Sequence, residues 1–437
     1  MDYRTQWAPT ALLNGSRRPL RVGVLVDLPL GGKAGGHVRC WQRLAEAARG
    51  FGDDIDLTIH FMGSEADRRD LAPNVRYRIE PPVFSTRSIP FLSHVPDHTD
   101  LAPYHPRLAR SLDGYDVIHT TDAYFSYART ALAIGTRKAI PVVNSVHTNT
   151  PEYARIFTAQ TVERLFGESV IAHVLLSRLR IAERMEERMR RQLAAYQRRC
   201  AFALVSRPDQ VAATRDRIGG KVGLLRRGID RTSFHPNHRD RDWLACRFGI
   251  PAERLVILAA GRLNRGKNVM LLVEAVEMLR RRGVDAQLVC AGDGDERAAI
   301  VDRLGEYATC PGVVELPELA CLFASADLFA LPSRIEESAN VLLEALASGV
   351  PTLVAGDSGM GRAVRDGETG LVLPGDDPAA WTEAIAALAA DPARRRDMSW
   401  TARNYAESSI PSWAEVLAED LLPHWEDAAQ RRVRAAA

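Results

Sequence analysis

The chain has 437 residues, 46% hydrophobic and 26% charged, a balance that fits two or three globular domains and excludes a disordered or fibrous chain. A net charge of +2 and few aromatics exclude nucleic acid as a bulk electrostatic partner. No run of residues approaches a transmembrane length, residues 1–18 are polar, and the six cysteines (Cys40, Cys200, Cys246, Cys290, Cys310, Cys321) lack metal-ligand spacing, so the sequence predicts reduced thiols in a cytoplasmic protein.

Residues 20–27 are an apolar run that predicts a strand. The glycine-rich segment 31–36 follows, then an amphipathic helix over 37–50. Strand, glycine loop and helix let the backbone come close to an anion because no Cβ stands in the way. The spacing is not G-x-G-x-x-G, and a plain tight turn gives the same pattern. Gly35 and Gly36 abut the helix. Strands are expected at 56–62 and 75–79. Segment 81–106 is irregular and holds His94, Asp97, His98, Asp100 and His105. Their spacing matches no usual ligand set, so they are read as loop polarity and no metal site is predicted.

A strand at 116–119, a helix at 124–135 and a strand at 140–146 lead to His147. A histidine at a strand's carboxyl end lies where parallel sheets bind ligands, though a satisfied structural histidine fits equally well. Helices are expected at 154–166 and 171–199. In the second, Ile171, Leu175, Leu179, Ala182, Met185, Met189, Leu193 and Tyr196 form one apolar stripe at helical spacing. Residues 151–232 carry 17 Arg or Lys against 9 Asp or Glu, a local charge of +8 that leaves −6 for the rest. This charge reads either as the solvated face of a packed helix or as a face toward anionic lipid headgroups.

After strands at 201–206 and 222–225, a domain boundary is expected near 236–245. A strand at 255–260 runs into Gly261, Arg262 and Lys267, and a helix follows to residue 282. Fixed cations at such a junction suit a phosphate: arginine offers a bidentate fork and lysine a point charge. The strand at 287–291 ends at Gly292, Asp293 and Gly294. A strand at 328–331 leads to Glu336 and Glu337. A helix follows over 341–348, capped by Ser338 or Asn340 and stopped by Gly349 and Pro351. Glu344 lies about one turn into it. A last strand at 367–374 and helices at 379–390, 394–407 and 413–435 complete the chain.

Glu336 and Glu344 enclose seven residues, and Glu-Ala-Leu-Ala-Ser-Gly-Val-Pro follows from Glu344. This resembles the carboxylate motif of the retaining, GT-B-fold glycosyltransferases that include sucrose synthase and bacterial lipid and polysaccharide glycosyltransferases (family 4-like). Arg227-Gly228-Ile229-Asp230 with Phe234-His235-Pro236 resembles that family's hinge. The resemblance implies an α/β fold of two doubly wound Rossmann-like domains facing across a cleft. The expected divisions are 1–240 on the acceptor side, 241–408 for the nucleotide sugar, and a C-terminal helix at 409–437 that returns to the first domain.

The resemblance also implies roles. Glu336 faces the donor sugar and Glu344 the ribose. Gly35, Gly36, Arg262 and Lys267 hold the diphosphate. The backbone of Ser338, Ala339, Asn340, Val341 and Leu342 lines the donor site, and His147 approaches the sugar hydroxyls. Glu336, His147, Arg262 and Lys267 form the expected catalytic set. The implied reaction is retaining hexosyl transfer from a nucleoside diphosphate sugar, UDP-hexose favoured, without metal or other cofactor. His147-Thr148-Asn149 and the Pro-rich stretch before Arg107 are most similar to the lipid-modifying branch. That implies a membrane glycerolipid acceptor reached by a peripheral protein at the inner face of a membrane. A soluble glycan or small-molecule acceptor, a sugar phosphorylase and a non-catalytic nucleotide-sugar binder remain alternatives. Two segments depart from the family pattern. Glu337-Ser338-Ala339 replaces Gly-Phe-Gly. Segment 312–326 is short, with Val313 to Leu316 running straight into Pro317 where relatives meet the nucleobase.

Overall fold

The computed structural model describes residues 18–31, 35–86, 99–167, 169–333, 340–356 and 358–436. The first domain runs β1 (Leu20–Pro29), α1 (Gly36–Ala48), β2 (Ile55–Met62), β3 (Asp67–Ala72), β4 (Val75–Glu80), α2 (Pro106–Ser111), β5 (Val117–Thr120) and α3 (Ser126–Lys138). It continues with β6 (Val142–Ser145), α4 (Thr150–Phe166), α5 (Val170–His173), α6 (Ile181–Gln197), β7 (Phe202–Val205), α7 (Pro208–Ile218) and β8 (Val222–Leu224). The sheet order is β3-β4-β2-β1-β5-β6-β7-β8, parallel except for β3. β1 is buried without break from Val22 to Asp27, as a central parallel strand covered on both faces must be. The chain leaves β1 toward β2 and β4, then returns to its other side at β5. A crevice therefore opens between the carboxyl ends of β1 and β5.

The second domain repeats this plan with α8 (Arg241–Phe248), β9 (Leu255–Ala260), α9 (Val269–Arg281), β10 (Ala286–Ala291), α10 (Arg297–Leu304), β11 (Ala308–Gly312), α11 (Leu316–Ser325) and β12 (Leu328–Leu331). Then come α12 (Asn340–Ala347), β13 (Thr352–Ala355), β14 (Gly370–Leu373), α13 (Pro378–Ala390) and α14 (Pro392–Ser409). All neighbours in the order β11-β10-β9-β12-β13-β14 are parallel, and the crevice falls between β9 and β12. The fold is therefore the expected pair of doubly wound α/β domains.

The chain crosses back through α15 (Trp413–Glu415), a π-helical turn over Val416–Leu421, and α16 (Leu422–Ala436). Leu417, Leu421 and Trp425 join Trp41 and Leu44 in the first domain's core. Beside the crossing, Ile229 bridges to Ser412, and a Cβ on Gly228 would lie 2.7 Å from the Trp413 ring. Only glycine lets the two crossing strands of chain touch there.

Two expectations are corrected. The helix over 171–199 is broken: α5 gives way to a π turn over Val174–Arg178, and Arg180 adopts φ of 50° before α6 begins. The wide turn and the left-handed residue reset the helical phase, so the apolar stripe does not stay on one face. Ala182 and Tyr196 are buried, whereas Ile171, Leu179 and Met185 are exposed. Segment 312–326 also turns before its helix rather than running straight on. β11 ends at Gly312, three residues turn the chain, and Pro317 sits in the first turn of α11, where its missing N–H costs nothing.

Candidate active site

A cleft of about 1180 Å³ lies between the carboxyl ends of the two sheets and is lined from both domains. Gly35 is the extended residue before α1, at φ −72° and ψ 173°. A Cβ placed there would lie 3.9 Å from an Arg262 guanidinium nitrogen. Gly35 of the first domain thus faces the cation at the end of β9. Asn340, first residue of α12, reaches across the cleft with its Nδ2 3.5 Å from the Gly36 carbonyl. Lys267 closes a short 3₁₀ turn whose backbone N–H donates to the Asn264 side chain at 3.3 Å. Asn268 then takes φ of 55°, its Nδ2 donating to the Gly375 carbonyl at 2.9 Å, and α9 begins. At the end of β10, a Cβ on Gly292 would overlap the Gly261 carbonyl oxygen. The glycine is what lets the Arg262 loop lie against the neighbouring strand.

Gly35, Gly36, His147, Arg262, Lys267, Asn340, Val341 and Glu344 all line this cleft. The Leu342 side chain is fully buried in the second domain's core, so that residue can offer the cleft only its backbone. Glu336, Glu337, Ser338 and Ala339 lie outside the described residues, as do His94, Asp97 and His98. Asp100 and His105 have structural partners. Asp100 accepts backbone N–H bonds from Val83, Phe84 and Ala102, and His105 Nδ1 caps α2 through the Leu108 N–H.

His147 is tied into a buried chain of polar groups. Arg227 lies 3.0 Å from Nδ1, and the Trp41 indole N–H donates to Nε2 at 3.2 Å. Nε2 lies 2.7 Å from Ser145 Oγ, whose other neighbour at 2.8 Å is His119 Nε2. The Trp425 indole N–H donates to His119 Nδ1 at 2.9 Å. Burial, with His37 and Arg227 beside it, keeps His147 well below its ordinary pKa and therefore neutral. Both its ring nitrogens are engaged by protein groups. His37 stacks on it at 4.4 Å and 10°, and its Nε2 is buried without a hydrogen-bond partner among the described residues. Burial pushes His37 down to about 3, so it too is neutral. The sequence reading missed His37 and the neighbouring Arg39 and Arg43. A histidine directly after a glycine loop, followed by Arg39 and Arg43 one helical turn apart, was the available signal.

Glu344 projects from α12 toward Arg39, Arg43 and Asp230. Burial raises its carboxyl to about 7 despite the two arginines. The protonated form is thus favoured in the folded chain relative to the usual 4.5. The stability this gives is complete below pH 4.5 and lost as pH rises through 7. Glu344→Gln is expected to melt above the wild type at pH 8, with the gap closing toward pH 5, while binding nucleotide more weakly. Thermal melts across pH, with and without UDP, read both effects. A mutant melting at or below the wild type at pH 8 overturns the assignment of strain to this carboxyl.

The first-domain side of the cleft is more apolar. Asn149 caps α4, donating Nδ2 to Glu152 and accepting its N–H. Tyr153 and Phe157 stack at 5.9 Å along the helix, and Met189 and Leu193 of α6 join them in the wall. Asp27 and Asp122 sit deeper, at the ends of β1 and β5. Burial and the mutual repulsion of the two carboxyls push Asp27 well above the usual carboxylate range.

Two facing Rossmann-like domains, with cations and helix N-termini converging on the cleft, define the GT-B class of glycosyltransferase. Residues 34–233 match the family described as Glycosyltransferase Family 4, and residues 254–391 match Glycosyl transferases group 1. The chain belongs to this glycosyltransferase family. The D-inositol 3-phosphate glycosyltransferase of Xylanimonas cellulosilytica is 30% identical over 344 residues, 74% of either chain. The chain spans about half the length of the first curated relatives it matches. Among solved structures, it is similar to sucrose-phosphate synthase from Thermosynechococcus elongatus, with TM-score 0.67 and 19% identity over 96% of this chain and 100% of that one. It is also similar to Anabaena HepE in complex with UDP-glucose, with TM-score 0.61 and 16% identity over 95% and 99%.

Proposed function

We propose that the protein transfers a hexose from a nucleoside diphosphate sugar, UDP-hexose favoured, to an acceptor hydroxyl with retention and without a metal ion. The observation that carries this reading is the meeting of Gly35, Arg262, Lys267 and the start of α12 in one cleft. As the glycosidic bond breaks, negative charge grows on the leaving diphosphate. Fixed cations and the free N–H groups of a helix start stabilise that charge more than they stabilise the bound donor. Glu344 receives the ribose hydroxyls. Glu336 is assigned the donor sugar on the resemblance of its motif. His147, whose nitrogens are engaged, positions the wall on which His37 stacks. Retention follows if the acceptor hydroxyl attacks on the face the diphosphate leaves, its proton passing to a phosphate oxygen. No protein nucleophile is then used.

The similarity of this fold to HepE bound to UDP-glucose supports the choice of UDP. A lipid hydroxyl is the acceptor favoured by the apolar wall of Tyr153, Phe157, Met189 and Leu193 and by the +8 charge of residues 151–232. Each arginine near an anionic bilayer contributes about 1 kcal/mol to binding at low salt. Among the described residues, no helix is long and apolar enough to cross a membrane. A soluble cyclitol phosphate is the second reading, favoured by the D-inositol 3-phosphate glycosyltransferases among its relatives.

The test is release of UDP from UDP-glucose in the presence of diacylglycerol or inositol phosphate. Turnover with either one names the acceptor class. Activity is expected to persist in EDTA because Arg262 and Lys267 supply the countercharge. Loss in EDTA, restored by a divalent ion, would return the metal question to the segment around His94 and His98. Dependence on inorganic phosphate would mark a phosphorylase, and UDP-glucose binding without turnover a binder.

A further inference from the structure

At the deep end of the cleft, two neighbouring carboxyls each keep one oxygen without a partner. β1 and β5 run parallel with Leu25 level with Thr120, and Asp27 and Asp122 lie two residues further along each chain segment. The carboxyls therefore stand side by side, on backbones about 5 Å apart. The start of α3 fixes one oxygen of each. The Tyr127 N–H donates to Asp27 Oδ2 at 3.1 Å, and the Tyr124 and Phe125 N–H groups donate to Asp122 Oδ1 at 2.8 and 3.1 Å. Asp27 Oδ1, Asp122 Oδ2 and the Tyr124 hydroxyl are buried without a hydrogen-bond partner among the described residues. Asp27 is 2% exposed and Tyr124 5%, and all three residues line the cleft.

Neither carboxyl has an ion pair among the described residues. Arg129, whose charge reaches Asp122, is exposed, and its guanidinium donates to the Leu101 and Ala102 carbonyls. Burial raises both carboxyls above their ordinary range, and the Asp122 and Asp100 charges add to the rise of Asp27. Arg39, Arg43, Arg262 and Lys267 line the cleft from α1 and from the loop after β9. The cleft is thus polarised, cationic where the diphosphate is placed and acidic beside α3. We propose that Asp27, Asp122 and the Tyr124 hydroxyl form a subsite for a protonated primary amine on the acceptor, next to the hydroxyl that receives the sugar. An ammonium brings three N–H donors and a charge, which suits three unpartnered oxygens and an unbalanced carboxyl pair. Water or a neutral hydroxyl meets the hydrogen bonds but not the charge. Among the described residues, no group of three or more His, Cys, Asp or Glu is arranged to hold a metal ion. An acceptor phosphate would be repelled here. The subsite rests on the transferase reading and adds an amine to the acceptor, whether a lipid or a soluble molecule carries it.

The experiment is release of UDP from UDP-glucose by the full chain with matched acceptors that carry a free or an acylated amine. One pair is soluble, glucosamine against N-acetylglucosamine. The other is lipid, sphingosine against ceramide in phosphatidylcholine vesicles. Expected in one pair is a kcat/KM for the free amine about tenfold or more above its acylated partner, the scale of a charge-assisted hydrogen bond. The pair that shows it names the source of the amine. Asp27→Asn and Asp122→Asn keep the side-chain volume and an accepting oxygen. Each should cut the preference below about threefold, chiefly by raising KM for the amine. A carboxyl that only supports the fold would lower both members of a pair alike. Circular dichroism and UDP binding by calorimetry check the variants, and Asp122→Asn carries the test should Asp27→Asn fail to fold. Without turnover, calorimetric binding of the same four probes to the UDP-loaded protein gives the same comparison. Equal rates or binding for free and acylated amines overturn the subsite. So does a preference that survives both variants, or turnover of inositol phosphate ahead of both amines. In each case the transferase reading stands. Failure to bind any nucleotide sugar overturns that reading instead.

Discussion

Lys267→Ala and Arg262→Ala are each expected to lower kcat/KM for the nucleotide sugar by about 100-fold or more, near the 3 kcal/mol that one well-placed donor to a developing anion contributes. Both side chains stand on the loop between β9 and α9, fixed by Asn264, Asn268 and the close approach of Gly292. The loop's geometry rests on these neighbours, so truncating either cation should leave the fold intact. The loss should fall mainly on kcat, because charge on the diphosphate is larger in the transition state than in the bound donor. Lys267→Arg should recover part of the rate. Single-turnover release of UDP, alongside melting curves, separates chemistry from folding. Wild-type kinetics in either alanine variant would remove the fixed cations from the reaction.

Trp425→Ala is expected to destabilise the first domain by about 3–5 kcal/mol, the range for deleting a large buried aromatic. Trp425 is fully buried, packs with Trp41 and Leu421 in the first domain's core, and donates to His119. The deletion leaves both a cavity and an unpaired nitrogen at the end of the chain that reaches Ser145 and His147. Calorimetry should show the first domain melting early and separately while the second keeps its transition, since two domains need not unfold as one. Trp425→Phe keeps most of the volume and should cost less, yet it still frees His119 Nδ1. A Trp425→Ala melt that matches the wild type would show that α16 is not part of the first domain's core.

The central strands were readable because burial on both faces forces continuous apolar runs such as Val22 to Val26 and Leu255 to Ala260. The convergence of Arg262, Lys267 and Glu344 was readable because strand, loop and helix order places such residues at one edge of a parallel sheet. Other features were hidden for specific reasons. β3 is an exposed edge strand, Asp-Arg-Arg-Asp at its start, with no apolar alternation to betray it. The stripe from Ile171 to Tyr196 has helical spacing on paper, but a π turn and a left-handed arginine are phase errors that spacing does not encode. β11 carries Pro311 and lies at the sheet's edge, where a missing N–H is tolerated. The occupancy of both His147 nitrogens depends on Arg227 and Ser145, which come from different elements and meet only in the fold.

The return of the C-terminal helix has a consequence for synthesis. Residues 255–373 hold every strand of the second sheet, so a growing chain can complete that domain while the first still lacks Leu417, Leu421 and Trp425. The domain made first is therefore finished last. Until the final helix leaves the ribosome, the faces of Trp41 and Leu44 that it covers remain open. During that interval the nascent protein exposes apolar surface of the kind that chaperones bind. A premature stop codon shortly before Leu417 would yield a chain with an intact second domain and an open first one, a form that quality control can recognise by its exposed core.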